Sequence, residues 1–153
     1  MKKTAIILAL IIFIMQEGCS AMLLREQIAV GGLYPDRTTA DEVVQLHGEF
    51  TSMHGDMRYY AATPTAVPPS VSIRLSGNYV VNVTTTLRDW ETPDGVHRGM
   101  NEMVLNDVYG PADEIVKEAG IVRYCYYNRD YALEFWVKPK TGEIYLIVAK
   151  CRY

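Results

Sequence analysis

Arg37-Thr38-Thr39-Ala40-Asp41-Glu42-Val43-Val44-Gln45-Leu46-His47-Gly48 and Gly99-Met100-Asn101-Glu102-Met103-Val104-Leu105-Asn106-Asp107-Val108-Tyr109-Gly110 align without a gap. A polar capping residue opens each stretch (Thr39, Asn101), and apolar residues follow at matched places, Val43 with Leu105 and Leu46 with Val108. Gly closes both. Each stretch reads as a short helix stopped by a left-handed Gly cap. In the first, the cap falls on Thr38 or Thr39, with Asp41 or Glu42 three residues on as the partner in a capping box. One helical signature used twice, each time followed by strand-like sequence, predicts a tandem repeat of a small α+β unit.

Working outward, the three strands of the second unit are the clearest. Residues 121–127, 131–137 and 143–149 alternate in polarity, and Asn128-Arg129-Asp130 and Pro139-Lys140-Thr141-Gly142 supply turn chemistry between them. Setting Val122, Tyr124 and Tyr126 against Val137, Phe135 and Leu133, and those against Ile144, Leu146 and Val148, gathers the apolar side chains on one face. A slip by one residue scatters them, so this register is the expected one. The opposite face then carries Arg123, Cys125 and Tyr127, Glu134 and Trp136, Tyr145 and Ile147. Residues 111–118 read as a second short helix or a short strand. In the first unit, 71–75 and 79–87 predict a hairpin across Ser76-Gly77-Asn78. The stretch after Gly48 reads as a polar connection, and Pro64, Pro68 and Pro69 as a loop. Gly31-Gly32 has no phosphate-loop Lys, Ser or Thr after it and reads as a flexible joint. The expected fold is therefore α+β: short helices packed on a three-stranded antiparallel sheet, twice over, in units spanning 22–90 and 91–153.

Residues 1–21 are set apart as an export signal. Lys2 and Lys3 precede an unbroken apolar run at 5–15, which is too short for the roughly 20 residues of a membrane-spanning helix. Two processing routes stay open. Gly18-Cys19-Ser20 resembles the end of a lipobox, with Cys19 lipidated, although Gln16 and Glu17 depart from the pattern; Cys19-Ser20-Ala21 is equally a small-x-small site for cleavage before Met22. The destination is an exported one, the periplasm or the periplasm-facing outer membrane of a Gram-negative cell.

Composition narrows the function classes. A formal net charge of −3 over 153 residues gives no basic surface for nucleic acid or anionic lipid. The three histidines form no ligand-spaced pair, and there is no Cys-x-x-Cys, so neither a metal nor another cofactor is expected. His47 shares its repeat position with Tyr109 and reads as a packing or capping residue. Cys125 has no local signature of a nucleophile. The predicted register puts Cys125 and Cys151 roughly 16 Å apart, beyond the ~7 Å limit for a disulfide. No catalytic residue is assigned. The expected binding residues are Arg123, Tyr127, Glu134, Trp136, Tyr145 and Ile147, an aromatic set flanked by Arg and Glu of the kind found in interface hot spots. The same face could equally be covered by the sheet of the first unit.

The helix signature, Tyr109-Gly110-Pro111-Ala112-Asp113, Val122-Arg123-Tyr124-Cys125-Tyr126, Leu133-Glu134-Phe135 and Gly142-Glu143-Ile144-Tyr145-Leu146-Ile147 together resemble the SmpA/BamE outer-membrane assembly lipoproteins and the β-lactamase inhibitor protein fold. The likeness is good over the second unit and faint over the first. It implies a helix-helix-sheet unit, single in the assembly lipoproteins and tandem in the inhibitor, and it transfers fold better than function. Two functions follow as expectations. One is a non-enzymatic scaffold that binds another envelope protein in outer-membrane assembly or maintenance. The other is a secreted or periplasmic inhibitor or immunity-type protein that covers an enzyme with its sheet.

Overall fold

A computed structural model describes residues 22–61 and 70–153. Cys19 with the rest of the export signal, and the loop prolines Pro64, Pro68 and Pro69, lie outside the described residues. The elements run α1 (Ala40–His47), β1 (Ser52–His54), β2 (Met57–Tyr60), β3 (Val71–Ser76), β4 (Tyr79–Thr85), α2 (Met103–Tyr109), β5 (Glu114–Glu118), β6 (Ile121–Tyr127), β7 (Tyr131–Lys138) and β8 (Glu143–Cys151), after a 3₁₀ turn at Arg25–Gln27.

The strands form a single eight-stranded sheet in the order β1-β2-β3-β4-β8-β7-β6-β5, antiparallel throughout. This corrects the expectation of helices packed on three-stranded sheets. Among the described residues, two short α-helices accompany one continuous sheet. The polar connection after Gly48 is in fact the β1–β2 hairpin, and the undecided stretch before Ile121 is strand β5. Both were hidden by composition: Ser52-Met53-His54 and Glu114-Ile115-Val116-Lys117-Glu118 are the two edges, where charged and polar residues discourage further pairing and blur the alternation.

The joint at the centre has a plain cause. Ile144 to Ala149 is apolar on both faces, which suits a strand flanked on both sides rather than an edge. β8 and β4 each end a four-stranded meander, and they satisfy one another's N–H and C=O groups with Val83 opposite Ala149, Thr84 opposite Val148 and Thr85 opposite Ile147. The hairpins that carry them are interrupted at the same place, between Arg74 and Leu75 in β3–β4 and between Trp136 and Val137 in β7–β8. Lining the two interruptions up makes Ile73 the counterpart of Phe135, Arg74 of Trp136, and Thr84 of Val148. Because Thr84 and Val148 are also paired with each other, the two halves meet about a local two-fold.

Each helix is docked onto its hairpin in the same way. Thr39 bridges Tyr79 and Asn101 bridges Glu143; the amide after each donates into the hairpin turn, Ala40 to Asn78 at 2.9 Å and Glu102 to Gly142 at 2.7 Å. Thr39 closes a full capping box with Glu42. On α2 the Asn101 side chain accepts from the Met103 amide instead. The closing glycines are not in the left-handed helical region. Gly48 (φ 82°, ψ −172°) and Gly110 (φ 76°, ψ −164°) occupy the extended positive-φ region that is essentially reserved to Gly. Of the matched apolar positions, Val43 and Leu105 are buried in the core, while Leu46 is 60% exposed and Val108 38% exposed.

One core runs beneath both halves. Val71, Ile73, Val80, Val83, Leu133, Phe135, Val137, Ile144, Ile147 and Ala149 meet Leu23, Ile28, Val30, Leu33, Val43, Trp90, Val96, Leu105 and Tyr109 from the helices and connections. Gly31-Gly32, expected as a flexible joint, is a tight turn between Val30 and Leu33 with both glycines at positive φ, the signature of a type I′ turn. A Cβ on Gly31 would lie 2.6 Å from the Trp90 ring.

Candidate functional site

Because the halves join edge to edge, the described residues of the first do not cover the outer face of the second. Among the described residues the helices and core connections all lie on the other side, and the outer face spans the eight strands. One row across it reads Tyr127, Ala132, Lys150, Asn82, Arg74, Met57 and His54; the next reads Glu114, Cys125, Glu134, Val148, Thr84, Ser72, Tyr59 and Ser52.

Four of the six expected binding residues share this face: Arg123, Tyr127, Glu134 and Trp136. The other two do not stand where the alternation put them. β7 and β8 slip by one residue between Trp136 and Val137, so Val137 pairs with Ile144 but Trp136 with Leu146, leaving Tyr145 as the extra, bulged residue. A bulge inverts the sidedness of everything beyond it. Ile147 therefore pairs with Phe135 and is fully buried in the core, and Leu146 and Val148 take the outer positions. Tyr145 is half-buried at the bulge, where burial raises its pKa.

On the β7 part of the face sits a charge that has little water. The Glu134 side chain is 6% exposed; Lys150 Nζ lies 2.6 Å from one oxygen and the Arg123 guanidinium 4.0 Å from the other. Trp136 Nε1 donates to Glu134 at 3.4 Å. A carboxylate so placed is tolerable only with its partners. Arg123 also reaches Glu118 at 3.5 Å and lies 5.7 Å from the Trp136 ring centroid, within cation–π range. Tyr127 donates its hydroxyl to Glu114 at 2.5 Å, and the Arg152 guanidinium stacks 4.3 Å over its ring. Burial and the Glu114 hydrogen bond together push the Tyr127 hydroxyl well above its usual range.

Lys150 and its neighbours were missed by reading strands one at a time. Asn82 and Arg74 reach this face only through the β4–β8 pairing, which no local pattern reports. A signal for Lys150 did exist: it is the one charged residue in the run from Ile144 to Cys151, opposite a chain segment in which Glu134 interrupts Leu133 and Phe135 in the same way.

Both Cys125 and Cys151 are free thiols. They lie on opposite faces, Cys125 opposite Glu134 and Cys151 opposite Tyr131. Burial pushes the Cys125 thiol up, with the Tyr127 hydroxyl pulling the other way, and a thiol held protonated is a poor nucleophile. The histidines are elsewhere. His54 is in β1 at the far edge of the sheet, and His97 donates to the Arg98 carbonyl. His47 donates through Nε2 to the Gly31 carbonyl at 2.7 Å while stacking on Trp90 at 4.0 Å. Its counterpart Tyr109 bonds the Thr92 hydroxyl at 2.7 Å and stacks on Phe135. Both residues before the closing glycines are thus packing residues. Among the described residues no group of three or more His, Cys, Asp or Glu is placed to hold a metal ion, and no helix is long and apolar enough to cross a membrane.

No family model matches the chain, and no curated protein matches it. Two solved structures are similar in fold. A DUF4309 family protein (YjgB) from Bacillus subtilis subsp. subtilis str. 168 matches with a TM-score of 0.50 at 12% identity, covering 79% of this chain and 83% of that one. An extracellular protein containing an SCP domain from Bacillus anthracis str. Ames matches with a TM-score of 0.55 at 9% identity over 88% of this chain and 47% of that one, so this chain spans less than half of it. At these identities the likeness is one of fold.

Proposed function

We propose that this chain is an exported, non-enzymatic binding protein that holds a protein partner on the open outer face of its sheet. The observation that carries the reading is Trp136. It stands on a face that none of the described helices or connections covers, with Arg123 over its ring and the Glu134–Lys150 pair beside it. Aromatic and Arg side chains grouped this way are the usual anchors of protein interfaces. The Lys2-Lys3 segment and the apolar run behind it support export, and one structural neighbour is itself described as extracellular. Within that reading the mature protein is either anchored through lipidated Cys19 or released after cleavage before Met22, and its place is the periplasm or the periplasm-facing outer membrane. Intact mass of the processed protein separates the two forms.

Affinity capture from the native envelope with wild-type protein and with Trp136→Ala tests the reading. The variant should lose its partner by about 2 kcal/mol or more of binding free energy and keep the wild-type thermal melt. A melt lowered by several degrees would mean that Trp136 serves the fold, and full capture by the variant would remove the face from consideration.

A further inference from the structure

Beside the Glu134–Lys150 pair the outer face is hollowed. Ala132, fully buried and with no side chain beyond Cβ, forms the floor between Tyr127 and Lys150. A depression of about 390 Å³ opens there, rimmed by Arg74, Lys150, Arg152 and Tyr153. It continues past Asn82 and Lys150 into a second hollow of about 260 Å³ that reaches Ser76 and ends at Asp56. From β6 to β3 the trough crosses four strand spacings, roughly 19 Å at about 4.8 Å each, which is the reach of about six extended residues.

The charge in this trough opposes that of the chain. Overall the protein is at −3, yet the side chains lining the first depression carry three cations against one carboxylate, Glu134, already bound by Lys150. Arg74 is exposed and has no ion pair among the described residues. Arg152 is held in place by its stacking on Tyr127 and by the hydrogen bond that its backbone N–H donates to the Asp130 carbonyl. Two guanidinium groups and an ammonium along an open, extended trough match side-chain carboxylates spaced along a strand.

We propose that the trough from Tyr127 to Arg74 receives an acidic extended segment of a protein partner, its carboxylates meeting Arg74, Lys150 and Arg152. The inference rests on the open-face reading above and names the chemistry of the partner. A fluorescein-labelled hexaglutamate peptide is the probe, with binding followed by anisotropy at low salt. Wild-type protein should bind it, and the exposed double change R74Q/R152Q should weaken binding at least tenfold with an unchanged thermal melt. K140Q, which removes an exposed cation in the β7–β8 turn away from the trough, should leave binding unaltered. Equal loss in K140Q, or no loss in R74Q/R152Q, overturns the proposal, as does inorganic phosphate binding in the trough while the peptide does not. Each of those failures leaves the open-face reading standing so long as Trp136→Ala still loses the natural partner, so the two ideas fail separately.

Discussion

The two halves of the sheet share one backbone plan and differ in what that plan carries. Each runs helix, hairpin, hairpin, and their last hairpins are interrupted at the same place. On the core side the counterparts are alike, Ile73 with Phe135 and Val83 with Ile147, all fully buried. On the outer side they diverge. Where the second half has Glu134, Trp136 and Leu146, the first has Ser72, Arg74 and Asn82. Packing constrains one face of both halves equally, since any core residue must fill its volume. The outer face, although Cys125, Ala132, Glu134 and Val148 are buried there, leaves Arg74 exposed and Trp136 half-buried, so its divergence is where function can have been placed.

The comparison can be broken most forcefully in the core. Phe135→Ala should cost about 3–5 kcal/mol and Ile73→Ala about 2–5 kcal/mol, and each should lower a single calorimetric transition, because the β4–β8 pairing and one common core tie the halves together. Two separated transitions in either variant would show that the halves unfold apart.

Gly31→Ala tests a feature found in the first half. The left-handed conformation at φ 59° and the 2.6 Å approach to Trp90 should together cost about 2 kcal/mol or more. Urea unfolding of that variant measures it, and a neutral result would mean the turn relaxes away from Trp90.

A charge comparison sharpens the outer face. Lys150→Met should destabilise by about 2 kcal/mol by leaving the Glu134 carboxylate buried without its ammonium. Glu134→Gln should cost less, since the ammonium it releases is 33% exposed and can turn to water. Ser72→Ala, at the counterpart of Glu134, should change little. Urea midpoints of the three variants give the order, and an inverted order between the first two would refute the account of the pair.

The smallest effect is alkaline. Burial, with the Glu102 carboxylate accepting the Tyr124 hydroxyl at 2.6 Å, pushes Tyr124 up to about 12. Its folded pKa lies above the unfolded value of about 10, so its contribution is complete below pH ~10 and is lost as the pH climbs toward 12. Unfolding titrations across that window should flatten in Tyr124→Phe; an unchanged slope would assign the alkaline loss to other tyrosines.

Much of this protein is written in local sequence. Thr39 with Glu42, the helices before Gly48 and Gly110, and the hairpin partners of β6 and β7 follow from caps, glycines and alternation, all of which act over a few residues. Arg123, Tyr127, Glu134 and Trp136 come to one face for the same reason. Three things were decided only by the tertiary structure. The edge strands β1 and β5 carry no pattern of their own and exist because a neighbour offers them a ladder. The bulge at Tyr145 sends Ile147 into the core, since a single inserted residue reverses every side chain beyond it and leaves no mark on composition. The union of β4 with β8 turns two meanders into one sheet and brings Arg74 and Asn82 beside Lys150. Backbone hydrogen bonds between segments far apart in sequence are nearly indifferent to side chains, so which strands pair is settled by what the whole chain can bury.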